Sequence, residues 1–406
     1  MATLSDQTAP PLRRLERVSD SSASLARVLA PGNVNGPNDE SGVQYPGRLY
    51  VGREHAEGFA APDAELVSNS SLIAMKYLIT GGAGFIGSHL ADALTTRGDE
   101  VVVLDDLSTG RRENIQHLID AEQVEFAEGS TSDEQLVDGL MQSVDGCFHL
   151  ASAVGVQLVV ERPLACLLGN MRGLDVILAA AARHDRWLLF TSTSEVYGKN
   201  STEALGEDSD RIMGSPFKAR WGYAITKSLG EALAHAYHRE QGARIVATRL
   251  FNTTGPRQTG AYGMVLPRFV RQALEGEDLT VFGDGTQSRC FVHVVDTVHA
   301  LLQLTGVEEA IGNVYNIGSS VETAIIELAG HVLARTGSDS KVRLVPYAEA
   351  YDEGFEELGR RRPDTSSIAE LVGWQPSRTL DETIDDLVAY ERGRTQPATG
   401  SLRLAG

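Results

Sequence analysis

The chain has 406 residues, 42% of them hydrophobic, which suffices for one large α/β unit with an appended lobe. It carries 36 Lys and Arg against 55 Asp and Glu, a formal net charge of −19, so nucleic acid and anionic membranes are expected to be repelled rather than bound. Cys147, Cys166 and Cys290 form no CxxC pair, which argues against a disulfide framework and a zinc site; with no long apolar run and no signal pattern at the N-terminus, a cytoplasmic location is expected.

In chain order, residues 1–74 come first, rich in Pro, Gly, Ser and Asn (APGNVNGPNDESG at 30–42), and read as a poorly ordered arm. From Met75 onward apolar runs alternate with amphipathic stretches. Strands are predicted at Lys76–Thr80, Glu100–Asp105, Val124–Ala127, Gly146–Ala151, Trp187–Ser192 and Ile245–Phe251, with a helix at Phe85–Arg97 closed by Gly98. Near-continuous apolar strands separated by helices imply a doubly wound parallel sheet over 75–250. Shorter strands (Thr280–Phe282, Val314–Ile317, Val342–Val345) and helices near 321–336 and 380–392 predict a smaller α/β lobe. That lobe occupies mainly 251–395, with some segments returning to the sheet, and a tail follows at 396–406. It is expected over the carboxyl ends of the strands, where open α/β sheets bind ligands.

The run Gly81-Gly82-Ala83-Gly84-Phe85-Ile86-Gly87 follows a strand and opens a helix, the context that makes a glycine triplet a Rossmann-type dinucleotide site. Gly81 allows the tight turn, Gly84 the approach of a pyrophosphate, and Gly87 close helix–strand packing. Phe85 and Ile86 supply amides at the helix N-terminus. Asp105 closes the second strand, where an acid reaches the adenosine ribose and repels a 2′-phosphate, so NAD is favoured over NADP. Tyr223 and Lys227 form Y-x-x-x-K, which a helix beginning at Tyr223 would place on one face. A neighbouring ammonium, aided by the cofactor's positive charge, is expected to lower the phenol pKa, making Tyr223 a base near neutral pH. His149, at a strand end, reads as a packing histidine.

GGAGFIG, HLAS (149–152), STSEVYG (192–198), YAITK (223–227), RLFNTTGPRQ (249–258) and FGDGTQSRCF (282–291) together resemble the extended short-chain dehydrogenase/reductases of the NAD-dependent epimerase/dehydratase family that act on nucleotide sugars. The resemblance runs from Met75 to about Tyr390. It implies that Tyr223 takes the proton of the sugar 4-hydroxyl while hydride leaves carbon 4 for NAD, with Thr193 bonded to the same oxygen. It places Leu150 and Ala151 against the cofactor and Asn252 at the diphosphate. Leu266, Pro267, Val281 and Phe282 map to the base pocket, with Gln287 nearby. Arg362 is carried to the diphosphate, with Arg361 an equal candidate. Gly129-Ser130 departs from the usual Gly-Asp, which leaves the adenine contact open.

The second step separates family members. Thr193-Ser194-Glu195 lacks the aspartate that 4,6-dehydratases use, and it resembles UDP-glucuronate decarboxylases (UDP-xylose synthases) instead. KARWGYAITK (218–227) and QSRCF (287–291) agree. The expected function is NAD-dependent decarboxylation of UDP-glucuronate to UDP-xylose or a UDP-4-keto-pentose. Arg289 would hold the carboxylate or the diphosphate, and Ser194 and Glu195 would manage the proton that completes the new CH2. A UDP-sugar 4-epimerase is the alternative; a 4,6-dehydratase or a non-catalytic NAD-binding protein fits less well. The resemblance also implies a homodimer built on a helical bundle that includes the Tyr223 helix.

Overall fold

A computed structural model describes residues 74–153, 162–260, 264–350 and 360–395, all within the unit Ser70–Gly406. The arm expected at 1–74, apart from Ala74, and the tail expected at 396–406 lie outside the described residues.

Six strands, β1 (Lys76–Thr80), β2 (Glu100–Asp105), β3 (Val124–Glu128), β4 (Gly146–His149), β5 (Trp187–Thr193) and β6 (Ile245–Leu250), build most of one sheet. Between them run α1 (Phe85–Arg97), α2 (Gln116–Asp120), α3 (Glu134–Gln142), α4 (Pro163–Arg183) and α5 (Ala219–Gln241). Side chains alternate along each strand, and both faces are apolar. Tyr77, Ile79, Val101 and Val103 join one core cluster with Leu90 and Leu94 of α1, whereas Leu78, Val102 and Leu104 join another with Met141 of α3 and Ile177 of α4. Full burial of each such Leu or Ile contributes roughly 1.5–3 kcal/mol. Gly98 ends α1 with φ +92, a conformation a side chain would strain, and its N–H bonds to Leu94 and Thr95 carbonyls.

The rest of the chain supplies β7 (Thr253–Thr254), α6 (Val265–Glu275), β8 (Leu279–Phe282), β9 (Ser288–Cys290), β10 (Val292–His293), α7 (Val294–Gln303) and β11 (Val314–Ile317). It continues through β12 (Glu322–Ala324), α8 (Ile325–Thr336), β13 (Val342–Val345), α9 (Tyr347–Ala350), α10 (Ser366–Val372) and α11 (Leu380–Thr395). β11 returns to the main sheet, which has the order β11-β6-β5-β4-β1-β2-β3 and is parallel throughout. Strand order reverses between β1 and β4, so the ligand crevice opens at the ends of those strands. Outside the sheet, β8 pairs with β13 and β9 with β12, over a separate core of Phe269, Val281, Leu328, Val332 and Leu387.

Two local expectations shift. β4 stops at His149 because the amides of Leu150 and Ala151 turn to the carbonyl and hydroxyl of Thr80. The helix carrying Tyr223 begins one turn earlier, at Ala219, which still leaves Tyr223 and Lys227 on one face. By length and composition α4 could cross a membrane, but Leu174, Ile177, Leu178 and Ala181 are packed into a core cluster, as in a buried helix of a globular fold.

Candidate active site

At the crevice, Gly81 has φ +74, and a Cβ there would sit 2.7 Å from the Ala151 nitrogen. A Cβ on Gly87 would meet the Gly81 carbonyl oxygen at 2.2 Å, so the packing role expected of that glycine holds. The amides that open α1, from Phe85, Ile86 and Gly87, face a turn with no side-chain cap and no acidic residue in the first turn. Such an end attracts a pyrophosphate. Asp105 is buried, and its two carboxylate oxygens accept hydrogen bonds from Ala83 N (3.0 Å) and Leu107 N (2.9 Å). Burial raises its pKa, and the two amides oppose that rise. The acid therefore shapes the glycine turn as well as standing where a ribose would lie. These residues fit NAD: an open helix N-terminus, a turn closed to side chains and an acid at the end of β2.

The next group converges from three elements. Tyr223 on α5 is hydrogen-bonded to Thr193 at the end of β5 and to Ser152 after β4. Ser152 in turn donates to Asn170 Oδ1 on α4 at 3.2 Å. Lys227 is 5% exposed; its ammonium donates to the Thr191 carbonyl at 2.8 Å and lies 4.9 Å from the centre of the Phe190 ring. Burial lowers its pKa to about 7, against the pull of Glu231. Burial, reinforced by Glu195, pushes the Tyr223 phenol up, and the Thr193 and Ser152 hydrogen bonds only oppose this. The expected lowering draws on the cofactor's positive charge as well as the ammonium; from the protein's own groups, desolvation of the half-enclosed phenol prevails. His149 accepts or donates at Thr80 Oγ1 (2.7 Å), stacks on Phe190 and is brought to about 3 by burial, so it stays neutral as a packing group.

Beside this pair, β5 turns into Ser194 and Glu195. The Glu195 amide donates to Thr193 Oγ1 at 3.3 Å, fixing the turn. Arg361, 6% exposed, donates to the Glu195 carboxylate and to Ser194 Oγ. Of the two arginines with equal claim, Arg361 enters the catalytic cluster, whereas Arg362 lies 3.8 Å from Glu203 and is one-third exposed.

Arg289 is buried on β9, where one guanidinium nitrogen donates to the Ser288 carbonyl at 2.7 Å. Burial pushes the neighbouring Cys290 thiol up to about 12, and Arg362, Arg360 and Arg289 pull it back, so three arginines surround that position. Asn252 spends its side-chain N–H on the Cys290 carbonyl (2.9 Å), leaving its oxygen as the group for any further contact. Leu266, Pro267 and Val281 are packed inside the lobe core, so their side chains cannot line a base pocket, and any contact there is made by backbone. Phe282 remains partly exposed, with Arg268 4.1 Å from its ring centre and Gln287 donating to its carbonyl at 3.0 Å.

Residues 77–318, well over half the chain, match the NAD dependent epimerase/dehydratase family. The chain belongs to that family. As a family member it is an NAD-dependent enzyme type, built on the parallel sheet described above. UDP-N-acetyl-alpha-D-glucosaminuronate decarboxylase from Bacillus cytotoxicus is 39% identical over 318 residues, covering 78% of this chain and 98% of that protein. UDP-glucuronic acid decarboxylase 1 of Danio rerio is 35% identical, over 78% of this chain and 72% of its own length. Among solved structures, UDP-glucuronic acid 4-epimerase from Bacillus cereus, in complex with UDP-glucuronic acid and NAD, superposes with a TM-score of 0.71 at 29% identity, over 79% of this chain and 100% of that one.

Within this epimerase/dehydratase member, the structure brings Thr193, Ser194, Glu195, Tyr223 and Lys227, singled out in the sequence, into one cluster. The sequence motifs missed Ser152 and Asn170, whose only signal was that Ser152 closes HLAS. They also left Arg361 undistinguished from Arg362.

Proposed function

We propose that the chain is an NAD-dependent decarboxylase of UDP-linked uronic acids, with UDP-glucuronate as the substrate class, yielding UDP-xylose, a UDP-4-keto-pentose or both. The observation that carries this reading is the buried Arg361, which brings a positive charge to Ser194 and Glu195 beside the Tyr223–Thr193 pair. The Bacillus cytotoxicus and Danio rerio relatives are decarboxylases of acidic UDP-sugars, which supports it.

Bound NAD supplies a hydride acceptor at sugar carbon 4, and its positive charge favours the Tyr223 phenolate. Tyr223 Oη takes the proton of the 4-hydroxyl, and Thr193 Oγ1 holds the same oxygen as it becomes a carbonyl. The acid at carbon 5 is then β to a ketone, so carbon dioxide leaves as its electrons flow into an enolate. Arg361, positioned against Glu195, and Arg289 hold the carboxylate and the adjacent oxygens. Ser194 and Glu195 deliver the proton that completes the CH2 group. Return of the hydride to carbon 4, with Tyr223 giving its proton back to the oxygen, then yields UDP-xylose, whereas release before that return yields the UDP-4-keto-pentose.

The test is mass analysis of products after the full chain is given UDP-glucuronate, or its N-acetylamino analogue, with NAD. Loss of CO2 supports the reading. An unchanged mass with altered chromatography means a 4-epimerase, and no turnover of either sugar overturns it.

We also propose a homodimer through α4 and α5. Leu164 and Leu168 on α4 and Ile225 and Leu229 on α5 are 68, 45, 40 and 48% exposed, four-residue spacings on two helices packed against each other. Sedimentation of wild type and Leu168→Glu/Leu229→Glu should show a dimer converted to monomer, and a wild-type monomer would refute it.

A further inference from the structure

The reading above gives no task to Glu231, a carboxylate 8% exposed on the same helix as Tyr223 and Lys227. It follows Lys227 by one helical turn. It accepts a hydrogen bond from Ser192 Oγ on β5, ion-pairs with Arg249 on β6 through Nη2 at 2.8 Å and Nε at 3.1 Å, and takes a further bond from Arg211. Arg249 is 2% exposed and passes on to Tyr197 Oη (2.8 Å) and the Glu207 carbonyl (2.7 Å). Lys227 meanwhile bonds the Thr191 carbonyl, so two successive residues of β5 are tied to α5 one turn apart, immediately before Thr193.

We propose that Glu231 is a positioning residue of the proton-transfer helix: its carboxylate clamps the end of β5 to α5, setting Thr193 against Tyr223, and keeps a counter-charge one turn from Lys227. The inference rests on the Tyr223–Lys227 chemistry of the proposed function but on no particular sugar.

The surroundings bear this out from every side. Lys227 is faced by neutral His149 on β4, by the Phe190 ring and Thr191 carbonyl on β5, and by Tyr223 and Glu231 on its own helix. Of these, Glu231 is the group that holds the ammonium charged against desolvation. Glu231 itself meets Ser192, Arg249 and Arg211, and a cleft of about 300 Å³ brings Glu207, Asp208 and His235 to the same network. Two arginines pair with this one buried carboxylate, a charge-matched arrangement that a mere packing position would not need.

The titration arm of the measurement needs no substrate. In full-length protein loaded with NAD, ultraviolet difference titration, with the matching Tyr223→Phe protein subtracted, gives the midpoint for the Tyr223 phenolate. Glu231→Gln weakens the charge on Lys227, so the midpoint should rise by about one pH unit. Glu231→Asp keeps the charge and should restore most of it. Ser192→Ala cuts the clamp and leaves the charge, so the midpoint should stay while hydride transfer to NAD, read with whichever nucleotide sugar wild type oxidises, slows about tenfold. A folded Glu231→Gln with an unmoved midpoint, or equal shifts in the Gln and Asp variants, overturns the proposal. If Glu231→Gln does not fold, an Asp variant shifted by a full unit, or an unslowed Ser192→Ala, does the same. Failure of wild type to turn over acidic UDP-sugars would count against the substrate assignment alone, since the titration is read without them.

Discussion

Arg361 and Glu195 are 166 positions apart in the chain, yet the guanidinium of one donates to the carboxylate of the other, with side chains 7% and 20% exposed. A pair so enclosed is costly to break by halves, because the remaining charge keeps its desolvation cost and loses its partner. Arg361→Met is expected to lower stability by about 3 kcal/mol and turnover of a carboxylated sugar by about 100-fold. Adding Glu195→Gln should recover much of the stability and none of the turnover. Thermal melts and product mass check both, and a single variant with native activity would remove Arg361 from the reaction.

Tyr223→Phe keeps the ring and its packing but removes the oxygen shared with Thr193 and Ser152. NAD binding should persist, while formation of the 4-keto sugar falls by at least about 1,000-fold. Thr193→Val should cost less, about 10- to 100-fold, because Ser152 still holds the phenol. NADH absorbance during a single turnover reports both.

Lys227 titrates near 7 in the folded protein against 10.5 in an open chain, with burial the main cause. Below about 7 both states hold the proton and the folded state bears the full cost of enclosing it. Between those values the unfolded chain binds more protons, so this group's contribution to stability rises with pH. Lys227→Met should therefore melt above wild type, by a margin widest near about pH 6 and narrowing toward about pH 10. A margin that does not change across that range would contradict the assignment.

Asp105 accepts from the Ala83 amide of the cofactor turn and from the Leu107 amide just after β2. Asp105→Ala leaves both without their partner, at a cost of about 1–3 kcal/mol each, so NAD affinity and melting temperature should drop together. Asp105→Asn retains one acceptor and removes the repulsion of a 2′-phosphate, so the preference for NAD over NADP should shrink. Calorimetric titration with both dinucleotides would decide it.

Arg289→Ala should impair carboxylated substrates more than neutral UDP-sugars, since a buried guanidinium matches an anion. Equal losses in kcat/KM on both would assign Arg289 to the diphosphate, which every substrate carries.

Much of this was legible in the chain itself. Thr193, Ser194 and Glu195 are picked out by the family resemblance, whereas the ends of β1, β2 and α1 follow from apolar runs and Gly98, and Tyr223 and Lys227 from their spacing. Local signals suffice there because strand alternation and helical periodicity act over a few residues. That the Leu266 and Val281 side chains pack into the lobe core, leaving only backbone for a base, was not legible for the converse reason: an apolar residue near a ligand and one inside a core look the same until the lobe closes around them.

The amino-acid order by itself determined the parallel sheet, the dinucleotide turn and the phenol–ammonium pair, since each is encoded within one or two neighbouring elements. Only the tertiary structure decided that Arg361 rather than Arg362 meets Glu195, that the Tyr223 phenol is raised by enclosure, and that Glu231 is tied to β5 and β6. Those outcomes depend on which distant groups share a space shielded from water, where charge interactions strengthen and desolvation sets the cost.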